Sequence, residues 1–212
     1  MNANSNANTH LRPELLFVCA AMAAVGAVFP IAANIFASFI AEHDIVSDTI
    51  SDLGRGPHKW IMDLGFYVNA AGLLAMALGC AHAHAGRIGW SLGIICLSLL
   101  ALVTVLIGVW DEFGRQIDAE EGLSVHTRLT FFLGPLYFLG PLFMFGAIRK
   151  ISQTSGWLFL SAAVLWVVFA GAFKLAPNSV DGLLEKMAVA ATLLWTIPLA
   201  KYLYDQGRDA AR

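Results

Sequence analysis

Residues 88–110 read IGWSLGIICLSLLALVTVLIGVW, without a charged side chain from end to end. An α-helix needs ~20 apolar residues to cross a bilayer core, and an unbroken apolar run of this length favours a helix over a strand. Five further stretches, 15–40, 60–80, 129–148, 157–173 and 183–203, repeat the pattern. Backbone groups in lipid have no water to bond, so each span must close its own hydrogen bonds. The expected fold class is therefore all-α: a polytopic integral membrane protein, a six-transmembrane-helix bundle with short loops. Composition agrees, since 58% of the residues are hydrophobic and only 13% charged, about half the ~25% of a typical soluble domain. A net charge of −2 gives no reason to expect nucleic acid as a partner.

The flanks divide the chain into a polar, Asn-rich tail (1–13), a six-helix domain (14–205) and a C-terminal tail (206–212). The N-terminal tail, the second and fourth connections and the C-terminal tail hold seven basic residues against three acids; the other three connections hold six against twelve. Orientation follows Lys and Arg in short loops. The pair Arg149–Lys150 and the basic C-terminal tail therefore place both termini in the cytoplasm, the protein spanning the inner (cytoplasmic) membrane. Cys19, Cys80 and Cys96 fall singly in apolar segments and read as small buried hydrophobes. Pro135 and Pro141 remove donors from the fourth span and are expected to bend it.

The unusual polar residues gather in the non-cytoplasmic connections. In 41–59, Ile45, Val46, Ile50 and Leu53 recur at helical spacing among Asp44, Ser47, Asp48, Ser51 and Asp52. This predicts a short amphipathic interfacial helix between helices 1 and 2, ended by Gly54. In 111–128, Ser124 is a candidate N-cap that puts His126 in a first helical turn. A neutral imidazole there serves equally as base, metal ligand or carbonyl partner. Glu185 and Lys186 sit just inside the sixth span, where a short carboxylate requires a partner. Asn34 and Asn69 lie at depth within spans, and Ala71, Ala75 and Gly79 form a small-residue stripe suited to close helix contact.

The stretch Ser47-Asp-Thr-Ile-Ser51-Asp52-Leu53-Gly54, then Gly56-Pro57 and the helix from Trp60, resembles the prokaryotic six-helix membrane family catalogued as domain of unknown function 998. The likeness continues through Trp110-Asp111, Val125-His126-Thr127 and Leu184-Glu185-Lys186. The resemblance implies the six-helix fold and assigns no chemistry. Members of the family often carry Arg after the sixth-span Glu; Lys186 keeps the charge but loses bidentate anion geometry.

Three function classes fit. The first is binding or transport of a lipid or small solute at the outer face, through Ser47, Arg55, Asn69, Arg128 and Lys186. The second is an intramembrane hydrolase or transferase. There Ser51 or a water attacks, His126 takes the proton, and Asp52 or Asp111 orients the ring, with Glu185 a further catalytic candidate. A metal version would use His126, Asp111 and His43, with Asp52. No HExxH or Gly-x-Ser-x-Gly pattern occurs. The third class is an accessory subunit packed against a membrane-protein partner.

Overall fold

The computed structural model describes residues 11–109 and 125–212. Among the described residues the chain is helical and contains no strand. The helices are α1 (Pro13–Ile40), α2 (Ile50–Leu53), α3 (Trp60–His82), α4 (Ile88–Val109), α5 (Val125–Ile151), α6 (Gln153–Leu175), α7 (Asp181–Ala191) and α8 (Leu193–Ala210). With α7 and α8 taken as one span, six helices are long and apolar enough to cross a membrane. The fifth stretch, the shortest in the sequence, belongs to a full 23-residue helix. α8 continues to Ala210, beyond the tail boundary read at 205. Residues 1–10 of the expected N-terminal tail lie outside the described residues.

The helices form a ring in the order α1, α3, α4, α5, α6, closed by α8 packing on α1 and α6. The tightest seam is α1 against α3. Gly65 faces Ala33, Gly72 faces Gly26 and Gly79 faces Cys19; a Cβ on Gly72 would lie 2.7 Å from the Gly26 Cα. Both series step by seven residues in opposite directions, the repeat of an antiparallel left-handed packing. The stripe expected through Ala71 is displaced by one position. Ala71 is exposed, whereas Gly72, Ala75 and Gly79 are buried.

Proline shapes this seam. Pro30 lies inside α1 and has no N–H for the Gly26 carbonyl four residues back. Asn69 Nδ2 donates to that carbonyl at 2.8 Å. A deep polar residue thus satisfies a backbone group that water cannot reach in lipid. Pro135 and Pro141 sit within α5, which stays a single continuous helix through both. At the far end of α3, Trp90 Nε1 donates to the Cys80 carbonyl (2.8 Å) and the Tyr202 hydroxyl to the Ala83 carbonyl (2.9 Å). These bonds satisfy carbonyls that a helix end leaves orphaned.

The sixth span is interrupted at Thr192. The Thr192 hydroxyl donates to the Val189 carbonyl (2.7 Å) and that of Thr196 to the Thr192 carbonyl (3.0 Å), and such back-bonding bends helices. Below the break, Trp195, Leu199 and Leu203 of α8 are fully buried and fill the ring. Above it, α7 packs on α6 and reaches α2. The two halves of the sixth span therefore pack differently, and the 41–59 connection meets the bundle at the α7 end.

Asn69→Leu should lower thermal stability in detergent by about 1–3 kcal/mol, because it orphans the Gly26 carbonyl. In a Pro30→Ala background, where α1 can recover its own bond, the same change should cost measurably less. Equal costs in both backgrounds would contradict this role for Asn69.

Candidate functional site

The short helix expected in the 41–59 connection is α2, which ends at Gly54 as expected and is preceded by turns rather than by further helix. Asp44 forms a turn in which its Oδ1 accepts from the Val46 and Ser47 N–H groups (2.7 and 3.2 Å), and Asp48 Oδ2 accepts from the Asp44 N–H. Short Asx side chains favour such local bonds over helix. Only Ile50–Leu53 is helical. It starts at a capping box, with Asp52 N–H on Thr49 Oγ1 and both Thr49 N–H and Oγ1–H on Asp52 Oδ2. Ile50 and Leu53 are buried, while Ile45 and Val46 remain exposed.

The first turns of α7 hold this connection in place. The Leu183 N–H donates to the Val46 carbonyl at 2.9 Å. Lys186 Nζ donates to the Asp48 carbonyl at 2.5 Å, and Glu185 Oε2 accepts from the Ile50 N–H at 2.6 Å. Gly182 packs directly on the Asp48 backbone, where any Cβ would collide with the Asp48 carbonyl. Two of the sequence candidates, Glu185 and Lys186, are thus the ties that seat α2 in the bundle mouth.

Seating α2 brings Ser51 to His126 in the first turn of α5: Ser51 Oγ and His126 Nε2 are 3.2 Å apart. Both line a cavity of about 620 Å³, within the range of small-molecule sites. Ser51, His126, Arg55, Glu185, Lys186 and Asn69 all line it, so these six sequence candidates converge. Its inner walls are mainly apolar. The cavity extends along α5 from His126 to Tyr137, about 16 Å at 1.5 Å per residue. Toward its inner end the Tyr137 and Trp166 rings pack at 4.5 Å, and Trp166 Nε1 donates to the Gly134 carbonyl at 3.1 Å.

The other described candidates, Asp52, Ser47, His43 and Arg128, do not line the cavity. Asp52 is occupied by the capping box and lies 3.9 Å from Arg55, so its carboxylate does not serve as the partner expected for the His126 ring. Ser47 donates to Asp48 Oδ1 (3.3 Å), and His43 Nδ1 lies 3.4 Å from Asp48 Oδ2. Arg128 is exposed on α5. Asp111 and Ser124 lie outside the described residues. Among the described residues no group of three His, Cys, Asp or Glu side chains is placed to hold a metal.

Sequence reasoning missed several lining residues: Thr104, Thr130, Tyr137, Trp166, Lys174 and Thr192. One signal was present. Pro135 and Pro141 deprive the carbonyls four residues back of a donor, and those belong to Phe131 and Tyr137, both on the cavity wall. Lys174, at the end of α6, lies over the Phe131 and Phe173 rings at 5.4 and 4.6 Å. Asn34 lines the cavity with its side chain nearly buried. Its Nδ2 has no hydrogen-bond partner among the described residues.

A family model described as "Protein of unknown function (DUF998)" matches residues 22–201. The chain belongs to this family. The match runs from α1 into α8 and so includes every element that lines the cavity. No curated protein and no solved structure matches the chain. What is established is a multi-pass membrane protein of the DUF998 family.

Two outcomes follow for the mouth. Gly182→Ala should unseat the connection and raise deuterium uptake across 46–53 while leaving α3 and α4 protected. Acid should act on the same segment. Partial burial raises the Asp52 carboxyl, but hydrogen bonds from the Thr49 side chain and backbone outweigh it and leave the group below its ordinary value. A carboxyl lowered by folding contributes stability above its unfolded pKa and loses it as pH falls through the folded one. Protection factors at 50–53 should therefore fall as pH drops through and below the carboxylate range, and Asp52→Asn should flatten that dependence.

Proposed function

We propose that this protein binds an amphiphilic molecule, a lipid or lipid-like solute, with its apolar chain in the cavity and its polar head at the mouth. The observation that carries this reading is the polarity gradient of the cavity. Ser51, His126, Arg55 and Lys174 stand at one end, and the walls toward the Tyr137–Trp166 pair are mainly apolar and aromatic, with Asn34, Asn69, Thr104 and Thr192 as separate polar groups among them. Among the described lining residues Arg55, Lys174 and Lys186 face a single carboxylate, Glu185, which favours an anionic or carbonyl-bearing head group. Lys rather than Arg at 186 fits a point-charge contact more than a bidentate phosphate clamp. In this reading the mouth opens at the non-cytoplasmic face of the cytoplasmic membrane, with both termini inside. The support for that orientation is Arg149–Lys150 in the last turn of α5, beside its short connection to α6.

The test is binding of a fluorescent single-chain anionic amphiphile to the full-length protein in non-ionic detergent. Gly171 lines the cavity, and a Cβ there meets nothing within 4 Å. Gly171→Phe should therefore fill the space and abolish binding without lowering the thermal midpoint. Lys174→Gln should weaken binding about tenfold, the equivalent of about 1.5 kcal/mol for one charge-assisted contact. Wild-type affinity in a folded Gly171→Phe protein would exclude the cavity as the site.

A further inference from the structure

We infer that Ser51 and His126 form a nucleophile–base pair that cleaves an acyl ester of the bound amphiphile; this rests on the binding reading above. The pair is at 3.2 Å, the outer edge of the reach over which a base activates a hydroxyl, and such bonds often lengthen in ligand-free structures. Its placement carries the argument further than its distance. Both side chains line the polar end of the same cavity whose remaining walls are mainly apolar, so a bound amphiphile's head-to-chain junction is within the cavity they share. An ester joining a polar head to an acyl chain lies at that junction, so its carbonyl carbon would come to lie beside Ser51 Oγ.

Ser51 is also held rather than loose. It follows Ile50, whose N–H is bound by Glu185, and precedes Asp52, which closes the capping box on Thr49. Glu185 is a positioning residue in this scheme, acting through α2. Ser and His come from separate elements, α2 and α5, so the pair forms only when the connection is seated.

The reaction balances with the ester and water alone. Ser51 Oγ bonds to the carbonyl carbon while its proton passes to His126 Nε2, in the tautomer that leaves that nitrogen unprotonated. The tetrahedral intermediate collapses, the bond from carbonyl carbon to alkoxy oxygen breaks, and the departing alcohol takes the proton from Nε2. Water then attacks the acyl-Ser51 carbonyl and gives a proton to Nε2. The carbon–Oγ bond breaks, the carboxylic acid leaves, and Oγ recovers its proton. Arg55 and Lys174, lining the same cavity, give it a positive potential that favours a developing oxyanion.

The experiment uses the full-length protein in detergent, a long-chain alkyl fluorophosphonate as label and p-nitrophenyl octanoate as ester. The expected result is one phosphonyl adduct, mapped to Ser51, and ester hydrolysis that falls about 100-fold or more in Ser51→Ala and His126→Ala. His126→Gln separates chemistry from architecture, since it can keep a hydrogen bond to Ser51 but cannot take its proton. Loss of labelling in a His126→Gln protein with a wild-type thermal midpoint supports the inference. The same wild-type preparation is assayed for amphiphile binding. Binding without any Ser51 adduct, and with hydrolysis equal to that of Ser51→Ala, would overturn the inference and leave the binding reading standing. Absence of both binding and labelling would overturn the two together.

Discussion

The backbone-to-backbone contact of α1 with α3 is the constraint on which the rest of this bundle depends. Lipid offers no hydrophobic driving force between helices, so association relies on close packing and on interhelical hydrogen bonds. The seam supplies both. Glycines at 65, 72 and 79 let α3 approach Ala33, Gly26 and Cys19 of α1. The carbonyl that Pro30 leaves without its helical partner is bonded by Asn69 across the same seam. With the seam fixed, the ends of α1 and α3 stand side by side. The nineteen-residue connection between them, 41–59, must then fold over the mouth.

Beneath that connection the sixth span changes at Thr192 from α7 to α8. The break separates α8, whose Trp195, Leu199 and Leu203 fill one half, from α7, which turns its first residues toward 46–50. Gly182, Leu183, Glu185 and Lys186 all grip backbone atoms of the connection. Side-chain-to-backbone ties of this kind fix a segment by its path more than by its side chains, and they free Ser51 to face the cavity. The same arrangement explains why charged residues tolerate such a depth. Glu185 accepts a backbone N–H and Lys186 donates to a backbone carbonyl, so neither relies on water.

The legibility of this protein in its sequence differs from residue to residue. Spans were readable because burial in lipid is a property of composition over a window, and 88–110 states it without ambiguity. The family motif around Ser47–Gly54 marked the right connection. The short helix expected there is present as α2 and ends at Gly54, but it starts only at Ile50, because Asp44 and Thr49 override the helical spacing of Ile45 and Val46 with local hydrogen bonds. Ser51, His126, Glu185 and Lys186 were singled out individually, yet nothing in their spacing separates Glu185 the backbone tie from Glu185 the catalytic acid. Asp52 shows the same ambiguity resolved the other way: its sequence neighbours suit a site, and its oxygens serve a helix cap.

By itself, then, the sequence determined the solvent in which this protein folds, the number of its spans and the face on which its polar residues collect. Hydropathy and helix length are local quantities, and each segment carries them alone. Only the tertiary structure decided that Ser51 meets His126 across 75 positions, that Asn69 serves Gly26 across 43, and that a cavity opens among these helices. Those outcomes depend on how separate helices share space. A proline's missing donor or a glycine's missing Cβ acquires meaning only when the neighbouring helix arrives.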